Sequence, residues 1–395
     1  MNKIRRIFKE NWRSSLVPLV TLLSISGVYL FRVSSLTHNL LSNREADAHN
    51  TYQSFKGFVT NPINAPYRLI DYLFLHLHTP TTAFTRYASV TFGLLACLLF
   101  FIIIRRWHGQ RSAIFTTILF AISGWMLHVT RLGTPDILFV LVPLVLVLLA
   151  SWAHKTEKHF FALLCMSLIF GLLFYIPGAI WFVIATSVLI RKAIIGHIRN
   201  LKIWKSLILL LIILVALAPL VHAMYLSPHL IRSWLFLPSA FPKPITLLKQ
   251  LAESITFLFA RGPFATDLWL AHTPIFDIFT SVMCLLGVYF YVRYYNNLRS
   301  YTLSSFLIIG GILVGLNGVN AMGFVIPTVY LLVGTGLTYV LRDWLTVFPR
   351  NPVARISGIL LVTGVIAIAT TYHLESYFVA WRYSPNTVQV FKQEP

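Results

Sequence analysis

Long apolar segments separated by short polar connections dominate this chain. Runs of roughly 17–25 apolar residues are long enough to cross a bilayer as helices. About 11 such segments are predicted, at 15–32, 86–104, 112–128, 137–153, 159–174, 177–190, 205–225, 276–295, 301–316, 321–341 and 354–372. A β-barrel would instead show short segments of alternating polarity. The pattern therefore predicts an all-α polytopic membrane protein, with residues 1–395 forming one integral membrane domain.

The composition agrees with this fold class. Hydrophobic residues make up 57% of the chain and charged residues 11%, whereas charged residues are about a quarter of a soluble domain. A formal net charge of +20 would suit nucleic acid, but most of the lysines and arginines flank the apolar segments, as the positive-inside rule describes. No nucleic-acid partner is expected. The three cysteines all lie within apolar segments and are interpreted as packing residues.

The distribution of charge predicts the orientation of the chain. The basic N-terminal segment, which includes Lys3, Arg5 and Arg6, is placed in the cytoplasm and leads into an uncleaved first span. An odd number of spans then places the C-terminus outside. Most acidic residues fall on the outside, namely Glu45, Asp47, Asp71, Asp136, Glu253, Asp267, Asp277, Glu375 and Glu394. The acids are therefore concentrated on the face where extracellular or periplasmic chemistry would occur.

Two outside segments are long, at 33–85 and 226–275, and the C-terminal tail, 373–395, is also placed outside. Pro244 to Phe259 in the second segment places Leu247, Leu251 and Ile255 on one helical side and polar residues on the other. Amphipathic helices of this kind lie in the membrane interface instead of crossing it. The outside segments are therefore predicted to contain interfacial helices and not a separate soluble domain.

The first outside segment opens with two carboxylates and an imidazole within five positions, Glu45, Asp47 and His49. If this stretch is helical, Glu45 and His49 share a face and Asp47 points elsewhere. A carboxylate acts as a general base towards an acceptor hydroxyl, or binds a divalent cation together with a histidine such as His49. Glu45 and Asp47 are therefore candidate catalytic acids and His49 a candidate ligand of a divalent metal ion. A solvated polar loop is the alternative.

A second acidic site precedes the fourth apolar segment. Asp136 follows Pro135 at a predicted helix start, where a carboxylate is favoured by the exposed N–H groups. Asp136 is therefore either a catalytic acid or a simple helix cap. Arg131, five residues earlier, is a candidate for binding a phosphate through a bidentate contact.

Cations in the second long outside segment run against the topology rule. Arg232 and Lys243 lie close in sequence to Trp234 and Phe241. A lipid phosphate that arrives from the membrane needs a cation at the depth of the interface, so Arg232 and Lys243 are candidates for binding a donor phosphate. Snorkelling of these side chains to phospholipid headgroups is the alternative.

The order of these parts resembles the GT-C superfamily of polytopic glycosyltransferases, in the group of protein mannosyltransferases and aminoarabinose transferases. The resemblance covers most of the chain and depends on the order of motifs more than on any single one. Its parts are Glu45-Ala46-Asp47-Ala48-His49, Arg86-Tyr87-Ala88, Arg105-Arg106-Trp107, the stretch Ser123–Arg131 leading to Asp136, Thr273-Pro274-Ile275-Phe276-Asp277 and Phe324-Val325-Ile326-Pro327.

The resemblance implies a sugar donor carried on undecaprenyl or dolichyl phosphate and a site that faces outwards. It also implies one catalytic acid in the first outside loop, Glu45 or Asp47, and a second in the next outside loop, Asp136. Relatives often carry an Asp-Glu pair where this chain has Arg44-Glu45. Arg44 is therefore a departure from the family pattern, and Asp47 is the candidate to take over the role of the missing acid.

The leading hypothesis is a lipid-dependent glycosyltransferase of a bacterial or archaeal cell membrane. It would transfer a sugar from a polyprenyl-phosphate donor to a hydroxyl of a glycan, lipid or protein acceptor. Membrane lipids are further expected partners, because they surround the spans. A transporter or lipid flippase is a second hypothesis, although the centres of the predicted spans carry almost no charge, whereas transporters usually place ionisable groups there. A non-catalytic scaffold is a third.

Overall fold

The computed structural model describes residues 2–37, 39–52, 60–77, 82–153, 160–262 and 272–393. Almost all of these residues are helical. The helices are α1 (Asn2–Leu30), α2 (Asn43–Tyr52), α3 (Ala65–Leu77), α4 (Thr82–His108), α5 (Gln110–Ile122), α6 (Gly124–Arg131), α7 (Ile137–Ala153), α8 (Phe160–Leu173), α9 (Ala179–Leu189), α10 (Arg191–Asn200), α11 (Ile203–Leu226), α12 (His229–Trp234), α13 (Pro244–Phe259), α14 (Ile278–Arg293), α15 (Leu298–Asn317), α16 (Met322–Val347), α17 (Pro352–Glu375) and α18 (Pro385–Val390).

Each predicted apolar segment coincides with one or more of these helices, which confirms the all-α class. Within the described residues, four helical segments are long and apolar enough to cross a membrane, or six if two bent pairs each count as one span. Four shorter apolar helices accompany them: 16–30 of α1, 137–152 of α7, α8 and α14. The count of about 11 spans therefore stays a prediction.

The third predicted segment, 112–128, is not one straight helix. It bends by 64° between α5 and α6. The bend lies at Ser123, whose ψ of 138° leaves the helical region and whose Oγ accepts a hydrogen bond from the N–H of Met126 at 3.3 Å. A serine in this position ends one helix and caps the next. The chain is thereby redirected just before Arg131 and Asp136.

Two central helices form the core of the bundle. All residues of α7 from Ile137 to Ala150 except Val145 are buried, and so is every residue of α16 from Met322 to Leu337. The rings of Phe139 and Phe324 stack between these two helices with centroids 4.7 Å apart. Because α7 follows Asp136 directly, the packing of its first turn fixes the position of that carboxylate.

The chain ends beside the acidic stretch. After α17, a π-helical turn (Ser376–Trp381) and α18 lead to strand β2 (Phe391–Gln393), which pairs antiparallel with β1 (Leu41–Ser42). Leu41 pairs with Gln393 and Ser42 with Phe391. The C-terminal tail thus packs on the first long outside segment, immediately before α2.

The second long outside segment docks on the same end of the bundle. The ring of Phe236 packs against those of Phe139 and Phe324, and the backbone carbonyl of Phe236 accepts a hydrogen bond from the Asn317 side chain at 2.9 Å. The start of α7, the junction between α15 and α16, and the α12–α13 segment therefore converge at one end. The side of the membrane on which this end lies stays a prediction.

Candidate functional site

Glu45 lies at the centre of a buried polar cluster. Its side chain is fully buried, and its two oxygens accept hydrogen bonds from Arg86 Nε at 2.7 Å and Nη2 at 3.0 Å. The backbone N–H groups of Gly133 and Ser42 donate to the same carboxylate at 2.8 and 3.0 Å. A bidentate pair with two further N–H donors satisfies the carboxylate completely. This arrangement ties together α2, α4 and the loop before Asp136.

The cluster also determines the charge of Glu45. Burial alone would raise the pKa of this carboxyl, but the attraction of Arg86 and the hydrogen bonds from Arg86, Ser42 and Gly133 outweigh burial and hold the pKa below its ordinary value. Glu45 is therefore ionised at neutral pH and already occupied by its partners. These contacts favour a role in holding the site together, and the catalytic role of Glu45 stays a prediction.

Asp136 lies in a more open position and makes a different set of contacts. Arg44 Nη2 is 3.0 Å from Oδ2, and Thr134 Oγ1 donates to the same oxygen at 2.9 Å. Arg44 Nη1 also donates to Oδ1 of Asn320 at 3.2 Å. The side chains of Arg44 and Asp136 are 32% and 15% exposed. Asp136 is therefore a partly exposed acid at this end of the bundle, beside a cation and an amide.

The space around Asp136 is narrow. A cleft of about 10 Å³ lies beside the carboxylate, bounded by Trp125, Val129, Phe139 and Asn320 among others. A sugar is far larger than this cleft. An acceptor hydroxyl would compete with Arg44 and Thr134 for the carboxylate oxygens.

Asp47 and His49 lie on opposite sides of α2. Glu45 and His49 are buried, whereas Asp47 is exposed, as the spacing of the three residues predicts. Burial lowers the pKa of His49, which favours the neutral imidazole that a metal would need. Within the described ranges, no group of three His, Cys, Asp or Glu side chains is arranged to hold a metal ion. Metal binding by His49 stays a prediction.

Arg131 is buried and contacts the first helix. Its Nη1 and Nη2 donate to the carbonyl oxygens of Val28 and Arg32, each at 3.0 Å. The guanidinium also lies over the rings of Tyr377 and Phe378, at 5.3 and 4.9 Å from their centroids. These contacts favour a structural role for Arg131, and phosphate binding by this residue stays a prediction.

Arg232 and Lys243 remain at the surface of the second long segment. Arg232 Nε donates to the carbonyl of Pro238 at 2.8 Å, and the guanidinium lies 5.9 Å from the ring of Phe241. Lys243 is exposed at the N-cap of α13 and makes no side-chain cap there. Both cations are in positions that a ligand could reach, and no contact in the described residues joins either of them to Asp136.

Sequence reasoning missed three residues of this site. Arg44 was noted only as a departure from the family pattern, yet it pairs with Asp136 across 92 positions. Arg86 belongs to a motif to which the sequence assigns no role, and Asn320 lies where family members often carry a His or Arg and has no predicted role either. One signal was present: Arg86 is a charged residue at the start of an apolar segment, and a charge buried there needs a partner of opposite sign.

Comparisons with known proteins give one match to a family model and two matches to solved structures. Residues 67–225 match the family model of dolichyl-phosphate-mannose-protein mannosyltransferase; this range contains Asp136 and begins after the acidic stretch. Two crystal structures of ArnT from Cupriavidus metallidurans share the fold, each with a TM-score of 0.57. The apo structure is 14% identical and covers 96% of this chain and 77% of its own. The structure bound to undecaprenyl phosphate is 12% identical and covers 94% and 76%. No curated protein sequence matches.

The similarity to ArnT extends over nearly the whole chain, whereas the family match is limited to residues 67–225 and begins after the acidic stretch. Both agree with an integral multi-pass membrane protein built from apolar helices. The resemblance that the sequence predicts is thereby confirmed in two respects: residues 67–225 match a mannosyltransferase family model, and the fold is shared with ArnT.

Proposed function

We propose that this chain transfers a sugar from a polyprenyl-phosphate donor to a hydroxyl of an acceptor on the outer face of a cell membrane. The observation that carries the proposal is Asp136: a carboxylate at the converging end of the bundle, within the segment that matches the mannosyltransferase family and beside the cation Arg44. The ArnT structure with undecaprenyl phosphate supports the choice of donor.

The proposed reaction is a substitution at the anomeric carbon of the donor sugar. The acceptor oxygen forms a bond to that carbon, the bond to the phosphate oxygen breaks, and the phosphate leaves with the electron pair. The acceptor proton passes to a carboxylate, for which Asp136 and the exposed Asp47 are the candidates. Negative charge builds up on the leaving phosphate, so a nearby cation lowers the barrier.

Arg44 joins Arg131, Arg232 and Lys243 as a candidate for contacting that phosphate. Because Arg44 is partly exposed and pairs with Asp136, an arriving phosphate would compete for its guanidinium and release the carboxylate for the acceptor. Donor binding and exposure of the acid are thereby coupled in this proposal.

The test compares lipid-linked sugars in cells. Mass spectrometry of polyprenyl-phosphate sugars would be measured for the wild type, a deletion strain and strains carrying Asp136→Asn or Asp47→Asn. The control is Glu253→Gln, an exposed acid of the second outside segment that contacts Lys249 at 3.8 Å. We expect one lipid-linked sugar to accumulate in the deletion and in the variant of the catalytic acid, but not in the control.

Normal lipid profiles in both Asp variants, with accumulation in the deletion, would remove both acids from the mechanism. A non-catalytic scaffold is the second candidate, and one observation favours it: Arg44 occupies Asp136 and the cleft beside it is nearly closed. An unchanged lipid profile in the deletion strain would favour that candidate over transfer.

A further inference from the structure

A large cavity with both charged and apolar lining residues lies at the end of the bundle away from Asp136. Its volume is 690 Å³. Val147 and Ser151 of α7 line it, and at 1.5 Å per residue they lie roughly 16–22 Å along that helix from Asp136. Arg342 of α16 also lines it, about 30 Å along that helix from Met322. The cavity is therefore separate from the candidate site, at the end that the charge distribution predicts to be cytoplasmic.

Three arginines from three different helices face this cavity: Arg106 of α4, Arg299 of α15 and Arg342 of α16. Its described lining contains no carboxylate. Across the described ranges, none of the three arginines has an acidic side chain within salt-bridge distance. All three side chains are exposed, so solvent screens part of their mutual repulsion, and an anion bound between them would relieve the rest. Convergence of the three arginines on one space offers an anion guanidinium donors from three helices.

Two of the guanidinium groups are held by aromatic rings. Arg299 lies 5.2 Å from the ring centroid of Trp107, and Arg106 lies 5.3 Å from that of Trp152. Arg106 Nη1 also donates to Ser151 Oγ at 3.3 Å. A guanidinium that lies over an aromatic ring still presents N–H donors in its own plane, and these match the oxygens of a phosphate.

Neutral groups of the same cavity add further donors. The N-terminus of the 20-residue helix α15 lines it through Leu298 and the capping residue Asn297, and the exposed N–H groups of a helix start favour an anion. Deeper in the wall, His108 Nε2 lies 3.1 Å from Thr335 Oγ1, which donates to the Tyr291 hydroxyl at 3.3 Å.

We propose that this cavity binds a phosphate-bearing molecule through Arg106, Arg299 and Arg342. The phosphate of a phospholipid headgroup and that of a water-soluble phosphate compound share this chemistry. The proposal concerns a site distinct from the one that surrounds Asp136, and it does not depend on the proposed sugar transfer.

The test uses the purified full-length chain and two probes. Equilibrium dialysis in a non-ionic detergent measures binding of radiolabelled pyrophosphate, and native mass spectrometry measures phosphatidylglycerol retained from nanodiscs of phosphatidylglycerol and phosphatidylcholine. The variant is Arg106→Gln/Arg299→Gln/Arg342→Gln. A hydrogen bond to a charged group changes a binding constant by roughly tenfold or more, so we expect a loss of at least about a hundredfold.

The matched control removes the same charge elsewhere. Arg105, Arg111 and Arg350 are exposed and do not line the cavity, so Arg105→Gln/Arg111→Gln/Arg350→Gln should bind as the wild type does. Retention of pyrophosphate would identify a soluble ligand, and retention of phosphatidylglycerol alone a lipid. The proposal is overturned if the wild type binds neither probe, or if both triple variants lose binding equally.

A second set of variants keeps the test decisive if the triple variant does not fold. Arg299→Gln and Arg342→Gln alone should each weaken binding of the retained probe roughly tenfold. Unchanged affinity in both single variants contradicts the proposal.

Discussion

Neighbouring acids in the first outside segment have opposite environments. Glu45 is fully buried and ion-paired with Arg86, whereas Asp47, two positions later, is exposed. The α2 helix causes this difference, because residues two positions apart point to different sides of a helix. Chemical type alone therefore does not show which carboxylate is available to a substrate.

Replacement of Glu45 by glutamine should lower stability first and activity only as a consequence. The variant leaves the buried Arg86 without a counter-charge, which costs about 3–5 kcal/mol. Because the pKa of Glu45 is lowered, its contribution in the wild type is present above pH 4.5 and is lost as the pH falls through the lowered pKa. Thermal unfolding in detergent at pH 7 measures the loss.

Asp47→Asn is the control for this prediction, since an exposed side chain contributes less than about 0.5 kcal/mol. Equal unfolding temperatures for the wild type and Glu45→Gln, together with lost transfer, would instead return Glu45 to a catalytic role.

The burial of Asp71 predicts a second way in which the stability of the fold depends on pH. It is 2% exposed, its Oδ1 has no hydrogen-bond partner among the described residues, and burial raises its pKa to about 7. Between pH 3.8, the ordinary pKa, and about pH 7, Asp71 is protonated in the folded chain but ionised in the unfolded chain. Asp71 therefore destabilises the fold increasingly as the pH rises through this window.

Asp71→Asn should therefore stabilise the protein above pH 7, by up to about 4 kcal/mol. Unfolding would be followed from pH 4 to pH 8, and the variant should show a flatter profile than the wild type. A profile as steep as that of the wild type would mean that Asp71 is ionised in the folded chain.

At the scale of the elements, α14 and α16 approach each other unusually closely. A Cβ atom added at Gly336 would collide with the carbonyl oxygen of Met283, and one added at Gly287 with that of Leu332. The two glycines let the helix backbones touch. The contact holds the α14 side of the bundle against the buried central helix.

Gly336→Ala should therefore destabilise the chain by at least about 2 kcal/mol, because the added methyl group forces a backbone shift. The control is Gly27→Ala in α1, where no atom lies within 4 Å of the new Cβ and alanine favours the helix by up to about 1 kcal/mol. Unfolding temperatures of the two variants in the same detergent measure the difference. Equal stability would show that α14 and α16 separate without cost.

At the scale of the whole molecule, the C-terminal strand closes the site. Phe391 is 4% exposed and its ring lies 5.6 Å from that of Trp381 and 5.8 Å from the guanidinium of Arg86. The end of the chain thus covers the ion pair that organises its beginning. Removal of this cover admits water to the buried charges.

Phe391→Ala should lower the free energy of unfolding by about 3–5 kcal/mol, as truncation of a buried phenylalanine does. Val388→Ala is the matched control, since Val388 is 53% exposed. Limited proteolysis of the C-terminal segment should accelerate in Phe391→Ala but not in the control. Unchanged proteolysis would show that the tail packs without this anchor.

The helices themselves could be predicted because each depends on a local property, the length of an apolar run. The segment 137–153 was predicted with the bounds that α7 has, and the shared face of Glu45 and His49 follows from helical spacing alone. The bend at Ser123 was missed, because a single polar residue within an apolar run does not show whether the chain continues straight.

By itself the sequence determined the all-helical membrane class, the candidate acids and the resemblance to GT-C transferases. Only the tertiary structure decided which acid is buried and which is accessible, because each answer depends on a partner far along the chain. Glu45 meets Arg86 across 41 positions and Asp136 meets Arg44 across 92. No periodicity encodes such pairs; they arise when the packing of distant helices brings opposite charges together.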